Sequence, residues 1–316
     1  MKNIFLAIVG LFLSVGLLQA QTDTMYIMKS GAIIGKYNVK DQVDSVVFYN
    51  PPVVSPGSNI ETALIPAGMF IMGSPESELN RSSSETQHVV TLSAFRMSKY
   101  EITNEQYAAF LNAKSIGSNG LYAAGAYPTQ PLIHENSDFG LNYSGFQWVP
   151  EAGYEASPVN YVPWYGAAEF AAYVGGSLPT EAQWEYACRA GTTTPFSTGS
   201  CLTNLQANYN WSIPYGACTN SVTTGPGKPQ PVGTYAANAY GLYDMHGNVW
   251  EWCSDWYGEY STSTQTNPTG PATGLDRVIR GGSLGSRAED CRSAYHYSYY
   301  PGSHGIFLGF RVVFVP

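Results

Sequence analysis

The chain has 316 residues, of which 44% are hydrophobic, 14% aromatic and 12% charged, and its formal net charge is −8. This apolar content is enough for a substantial core and excludes disorder over the whole length. The acidic balance, without a run of Lys or Arg, argues against a nucleic-acid partner, because such a partner requires a basic face. The 33 glycines, 20 prolines and 24 tyrosines predict a loop-rich protein.

Residues 1–20 are typical of a secretory signal peptide. Lys2 provides the positive start, residues 4–18 are apolar apart from Gly and Ser, and Ala20 supplies a small residue for cleavage. The apolar run is shorter than the roughly 20 residues that span a bilayer, so we expect no membrane span. The sequence therefore predicts a protein that is secreted, periplasmic or held at the cell surface.

Three segments follow the predicted signal peptide. Residues 21–49 contain alternating apolar and polar stretches, which predict a small β appendage. Residues 50–60 are rich in Pro and Ser and predict a linker. Residues 61–316 contain no second break of that kind, and we expect them to form one domain.

Capping residues predict three helices within the large domain. Thr103 is followed three residues later by Gln106, which is a capping-box pattern, and Thr180 with Gln183 repeats it. Pro163 suits the first turn of one more helix, which lies in the chain between the helices that begin at Thr103 and Thr180. The remainder consists of short apolar runs between turn residues. The sequence therefore predicts an α+β fold with few helices.

Export favours disulfide bonds among the five cysteines. A bridge between Cys201 and Cys218 would close one long polar loop, but the sequence alone leaves the connectivity open. The odd number leaves at least one thiol free or bonded to another chain. No cysteines form a CxxC motif, so a zinc ribbon or thioredoxin-type site has no support.

Motifs distributed from about residue 64 to residue 313 resemble one known family. They lie at residues 65–73, 99–107, 158–164, 178–186, 238–252, 280–283 and 309–311. In this order they resemble the formylglycine-generating-enzyme-like (sulfatase-modifying factor) family. The resemblance implies an elaborated C-type-lectin-like domain with small sheets, few helices and much loop, which agrees with the α+β expectation.

The resemblance also implies a calcium site in the segment 244–251. The carboxylates of Asp244 and Glu251 and the backbone carbonyls of Gly247 and Val249 would supply the oxygen ligands that Ca²⁺ prefers. The alternative is that this segment is a turn between core tryptophans and that Glu251 binds a backbone amide.

Catalysis in this family depends on two cysteines. The resemblance implies that they hold Cu(I) while O₂ oxidises a substrate cysteine to formylglycine, and their positions correspond to Ser286 and Cys291. A serine hydroxyl cannot replace a thiolate ligand of Cu(I), and this pair cannot form a disulfide, so we expect no copper and no catalytic residue. The five histidines also lack the His-x-x-x-His-x-Glu type motif of the family's iron-dependent sulfoxide synthases.

The segment 284–308 is rich in Tyr, Ser and Gly, which are residues that binding loops use. Tyrosine provides a large contact area at a small entropic cost, and Ser and Gly adapt to the partner. The predicted ligand-binding residues are Tyr295, His296, Tyr297, Tyr299, Tyr300, His304 and Phe307. The alternative is that the tyrosines pack against the domain's own sheet.

The same segment lacks Asn, although Asn is common in this part of the family. Randomised adenines in an Asn codon would yield Tyr, Ser, Gly, His, Asp, Ile and Phe, and the segment contains all seven of these residue types. Diversity-generating retroelements change their target genes in this way, and their targets often have the lectin-like fold. The chain therefore resembles a variable protein of such an element.

These patterns predict a secreted, calcium-stabilised recognition module without redox chemistry. Its 284–308 loops are expected to bind an extracellular protein or glycan. One alternative is a formylglycine-generating oxidase that acts on sulfatase cysteines. Another is a structural component of an envelope complex, docked through the appendage at residues 21–49.

Overall fold

The computed structural model describes residues 24–29, 32–38, 60–135 and 138–316. The chain divides into two compact units, Met1–Val54 and Ser55–Pro316. The predicted signal peptide lies outside the described residues, and so does the predicted linker except for residue 60. Within the described residues, no helix has the length and apolar character needed to cross a membrane.

The described part of the first unit is a two-stranded antiparallel hairpin. Its strands are β1 (Thr24–Lys29) and β2 (Ala32–Asn38). The register shifts between Ile27 and Met28, where the pairing is irregular. Both strands lie in the segment whose alternating pattern predicted β structure.

The strands of the second unit are short and separated by long loops. They are β3 (Thr62–Ile65), β4 (Gly68–Met72), β5 (His88–Leu92), β6 (Phe95–Ser98), β7 (Leu141–Ser144), β8 (Gln147–Pro150), β9 (Trp250–Trp256), β10 (Gln265–Thr266), β11 (Arg277–Arg280), β12 (His296–Tyr299), β13 (Leu308–Gly309) and β14 (Val313–Phe314). Strands β14, β6 and β3 form one sheet, β10, β5 and β4 form a second, and β7 and β8 form a hairpin. A four-stranded sheet in the order β12, β11, β9, β13 carries the candidate site.

The described residues contain three α-helices, α1 (Asn104–Ala113), α2 (Trp164–Tyr173) and α3 (Glu181–Arg189). At α1, Thr103 Oγ1 accepts a hydrogen bond from the Gln106 backbone, and the Gln106 side chain accepts one from the Thr103 backbone. The same reciprocal bonds cap α3 at Thr180 and Gln183. Pro163 directly precedes α2. The three helices predicted from capping patterns are confirmed. They could be predicted because the capping contacts join residues close in the sequence.

Strands β9 and β11 lie between two hydrophobic clusters. Trp252 and Ile279 pack in the cluster that contains α1 and α2. Cys253 and Val278 pack in the cluster that contains α3. Successive side chains of a strand point to opposite faces, so both faces of this part of the sheet are buried.

Among the described residues, three arginines are fully buried and fix loops around the four-stranded sheet. Their ion pairs are Arg280 with Glu181 and Glu185, Arg292 with Glu78 and Glu85, and Arg311 with Glu251. Removing one partner of a buried pair leaves an uncompensated charge and typically costs about 3–5 kcal/mol. Each pair joins segments that are far apart in the chain, so these ion pairs hold distant loops together at the sheet.

Cys201 and Cys218 form a disulfide across a sequence separation of 17 residues. This confirms the loop-closing bridge considered from the sequence. The other described cysteines, Cys188, Cys253 and Cys291, are reduced and buried. Burial raises the pKa of all three thiols, that of Cys188 to about 12, so none is a thiolate at neutral pH.

Candidate ligand-binding pocket

Strand β12 carries several of the predicted binding residues. It pairs antiparallel with β11 and is the edge strand of the four-stranded sheet. Tyr297 and Tyr299 on this strand are 50% and 41% exposed, and Tyr300, just after it, is 61% exposed. The alternative interpretation required that these three rings pack against the domain's own sheet. Their exposure shows that they do not pack into its core.

Tyr299 and Tyr300 also line a pocket of about 380 Å³. The lining residues are Trp250, Tyr299, Tyr300, Gly302, Ser303, His304, Gly305, Phe307 and Leu308. We call this the aromatic pocket, since four of its side chains are Trp, Tyr or Phe. None of the lining side chains is an acid, a lysine or an arginine. Its size falls in the range for sites that hold small ligands or single groups of larger ones.

Trp250 is a pocket residue that the sequence analysis did not assign to binding. It is the first residue of β9 and pairs with Leu308 of β13. Its backbone N–H donates to the Phe307 carbonyl at 2.7 Å, which holds the 302–307 loop beside its ring. The sequence carried no signal for this role, because the alternation of Trp250 and Trp252 places both on one face of the sheet and does not show that only Trp252 is fully buried.

His304, one of the lining residues of the aromatic pocket, contacts a histidine from another loop. Its ring stacks on that of His134, with centroids 3.5 Å apart and planes inclined by 9°. Burial, together with the charge of His304, lowers the pKa of His134. Two imidazolium rings would repel at this distance, so the stack requires that at least one ring is neutral.

His296 does not belong to this surface, and its predicted role is corrected. Its Nδ1 lies 2.8 Å from an oxygen of Glu181, and its Nε2 lies 2.9 Å from Ser84 Oγ. The alternation of β12 turns His296 to the face opposite Tyr297, where it is buried. Tyr295 is half-buried and is not a lining residue, and burial raises its pKa to about 12.

Ser286 and Cys291, at the positions of the family's cysteine pair, are both held by hydrogen bonds within the domain. Ser286 Oγ accepts a hydrogen bond from the Ser283 backbone at 3.0 Å and lies 3.1 Å from Ser283 Oγ. Cys291 ends a short 3₁₀ helix, is fully buried, and donates to the Arg287 carbonyl at 3.5 Å. Burial and the nearby charge of Asp290 raise its pKa well above the usual value. One buried thiol and one hydroxyl do not provide two thiolates for Cu(I).

The predicted calcium ligands lie in the buried segment that enters β9. Asp244 Oδ2 accepts from the Gly233 backbone at 2.6 Å, and burial raises the pKa of Asp244 to about 6. Glu251 is already engaged, because its oxygens accept from the Arg311 guanidinium and the Trp184 indole. Asp244 therefore fits a cation ligand, whereas the Glu251 side chain is committed to an ion pair.

Glu101 adds a carboxylate that the sequence analysis did not consider. Its Oε1 accepts from Asn248 at 3.0 Å, and its buried Oε2 has no hydrogen-bond partner. Burial and the charge of Asp244 raise the pKa of Glu101 well above its usual value. The Arg311 guanidinium thus faces three carboxylates, those of Glu251, Glu101 and Asp244. This excess of buried acceptors suits a cation.

Across the part of the chain that the structure describes, no group of three or more acidic, His or Cys side chains is arranged to hold a metal ion. The predicted set at Asp244, Gly247, Val249 and Glu251 relies on two backbone carbonyls as well as carboxylates. Calcium binding therefore stays a prediction.

These features define a class of protein. It is an α+β, loop-rich, elaborated C-type-lectin-like domain, and its aromatic pocket lies beside the edge of a four-stranded sheet. The family model described as "Sulfatase-modifying factor enzyme 1-like domain" matches residues 51–315. The chain belongs to this family.

Two kinds of curated relative match the chain. Serine/threonine-protein kinase pkn1 of Chlamydia caviae is 36% identical over 256 residues, which are 79% of this chain and 37% of that protein. The chain thus spans little more than a third of the length of this relative. The formylglycine-generating enzyme of Streptomyces coelicolor is 32% identical over 288 residues, which are 82% of this chain and 91% of that protein.

Solved structures with similar folds include the following two. PvdO from Pseudomonas aeruginosa has a TM-score of 0.63 and 26% identity, and the match covers 81% of this chain and 95% of that one. Variable protein 1 of Treponema denticola has a TM-score of 0.50 and 27% identity, with the same coverage of both chains.

Proposed function

We propose that the chain is a secreted, non-catalytic recognition module that binds an extracellular protein or glycan in the aromatic pocket. The observation that carries this proposal is the grouping of exposed Tyr299, Tyr300 and Phe307 around one concave site. Grouped exposed aromatic side chains mark binding sites, because their burial by a partner provides much of the binding energy. We also propose that the 284–308 loops are diversified by a retroelement, and the likeness to a chain described as a variable protein of Treponema denticola supports variation in this protein.

The test of this function is a binding screen of the full chain against arrays of extracellular glycans and proteins. The Tyr299→Ala/Tyr300→Ala double variant removes two pocket walls and should weaken every array signal at least tenfold. Phe146→Ala is a matched control, because Phe146 is 83% exposed and is not a lining residue. Unchanged binding by the double variant would contradict the proposal.

The competing function is the oxidation of sulfatase cysteines that the family resemblance implies, and formylglycine generation is the activity in the name of the Streptomyces coelicolor relative. Ser286 at one of the two cysteine positions argues against it. Incubation of the full chain with Cu(I), O₂ and a cysteine-containing peptide should yield no formylglycine in the peptide. Formylglycine production that disappears in Cys291→Ala would overturn the non-catalytic assignment.

Calcium binding is a separate part of the proposal. We propose a Ca²⁺ ion at Asp244, with Gly247 and Val249 supplying backbone carbonyls and the carboxylate of Glu101 nearby, while Glu251 stays paired with Arg311. Added Ca²⁺ should raise the melting temperature of the wild type, and Asp244→Asn should remove most of this increase. An equal increase in the variant, or none in the wild type, would exclude this site.

A further inference from the structure

Arg277 of β11 has an environment that differs from that of the fully buried arginines. Its guanidinium lies between two indole rings, 3.4 Å from the Trp256 centroid and 3.9 Å from the Trp164 centroid. Stacking on both faces fixes the plane of the guanidinium and leaves its edge for hydrogen bonding. One edge nitrogen, Nη1, donates to the Ser254 carbonyl at 2.5 Å.

The charge of Arg277 is not neutralised by an ion pair. No carboxylate of the described residues lies within 4.0 Å of it, in contrast to Arg280, Arg292 and Arg311. Its nearest titratable neighbours are Tyr127, Asp255 and Tyr165. Burial raises the pKa of Asp255 to about 7, which makes it a poor counter-ion at neutral pH. Arg277 is thus a partly exposed cation without a fixed anion.

Arg277 is next to the aromatic pocket. It is directly opposite Tyr299 in the β11–β12 ladder, and Tyr299 lines the pocket. Directly opposed residues have their side chains on the same face, with Cβ atoms about 5 Å apart. Nη2 makes no hydrogen bond to a described residue and is not among the enclosed unpaired atoms, so it can donate to a ligand.

We propose that the ligand of the aromatic pocket contains a sugar ring with a carboxylate, and that Arg277 binds this carboxylate. This inference rests on the proposed recognition function. A carboxylate would supply the missing counter-ion and accept a charge-assisted hydrogen bond from the guanidinium edge. The ring would stack its C–H face on Tyr299 and Tyr300, and its hydroxyls would bond to Ser303 and His304.

The dimensions of the pocket favour a sugar over a flat protein epitope. A cavity of about 380 Å³ encloses one small ring and its substituents. A typical protein partner instead covers roughly 800 Å² of each surface. The net charge of −8 also disfavours an acidic protein, because two acidic surfaces repel before they make contact.

The test compares two probes that differ in one group, methyl β-D-glucuronide and methyl β-D-glucoside. Their dissociation constants for the full chain are measured at pH 7 by ligand-observed NMR. The glucuronide should bind at least tenfold more tightly at low salt, and 0.5 M NaCl should reduce this preference, as expected for an ionic contact. Equal affinities in the wild type would overturn the proposal without any variant.

Variants then assign the preference to Arg277. Arg277→Gln should reduce the preference for the glucuronide over the glucoside to less than threefold, and Arg277→Lys should retain part of that preference. Tyr300→Ala should weaken both sugars equally, and a melting temperature for each variant confirms folding. Preference retained in Arg277→Gln would overturn the proposal.

A third probe, N-acetylglutamic acid amide, tests the alternative source of the carboxylate. Binding of this probe as tight as that of the glucuronide would indicate an acidic peptide and overturn the sugar assignment. Array binding by the wild type without any glucuronide binding would overturn this inference alone. A wild-type chain that binds no glycan or protein on the arrays would instead contradict the proposed recognition function.

Discussion

Asp255 shows how burial determines the charge of a single side chain. Its Oδ2 accepts hydrogen bonds from the Glu181 backbone and from Ser254, each at 3.0 Å. Burial raises its pKa to about 7, well above the ordinary value of 3.8. The folded state therefore keeps a proton that the unfolded state loses, and the free energy of unfolding should fall as pH rises from about 4 to about 7.

Asp255→Asn should keep the accepted hydrogen bonds and abolish this pH dependence. At pH 8 the variant should exceed the wild type in free energy of unfolding by about 1–3 kcal/mol, and at pH 4 the two should agree. Urea unfolding at both pH values provides the measurement. A variant that is less stable than the wild type at pH 8 would show that Asp255 is ionised without penalty.

The contribution of the stacked pair His134 and His304 to the free energy of unfolding should change with pH in the opposite direction. The lowered pKa of His134 means that the unfolded state binds a proton first, so stability is complete above about pH 6.5 and decreases below it. His134→Phe keeps a ring for stacking and removes this titration. Its melting temperature should depend less on pH between 7 and 5, and identical profiles for variant and wild type would contradict this explanation.

At the scale of elements, the capping box of α3 can be tested alone. Thr180 Oγ1 accepts from the Gln183 backbone at 3.1 Å and satisfies a donor that has no partner within the helix. Thr180→Ala should lower the free energy of unfolding by about 1 kcal/mol. Thr180→Ser retains the hydroxyl and should stay within a few tenths of a kcal/mol of the wild type. Equal losses in both variants would point to the lost methyl contact instead.

The same scale shows the difference between local and distant information. The capping boxes of α1 and α3 join residues three positions apart, so the sequence alone predicted both helices. The alternation of side chains along β12 is also local information, but it does not show which face of the strand is covered by other parts of the domain. The burial of His296 depends on Glu181 and Ser84, which are distant in the chain.

At the scale of the whole molecule, the disulfide between Cys201 and Cys218 restrains a long loop of the second unit. Replacing both cysteines by Ala should lower the free energy of unfolding by about 3 kcal/mol, the value expected for a loop of this length. Reductant should lower the melting temperature of the wild type and leave the double variant unchanged. A double variant that still responds to reductant would indicate another disulfide.

The sequence by itself determined the family, the α+β class, the three helices and the residues near position 300 that form the exposed surface. These features depend on motifs and on contacts between residues close in the chain, which a single sequence displays. Only the tertiary structure decided that Trp250 lines the pocket, that Glu251 pairs with Arg311, and that Arg277 has no ion-pair partner among the described residues. Each of these outcomes is set by packing between segments that are far apart in the chain, such as Glu251 and Arg311, because burial and charge compensation depend on which segments meet in space.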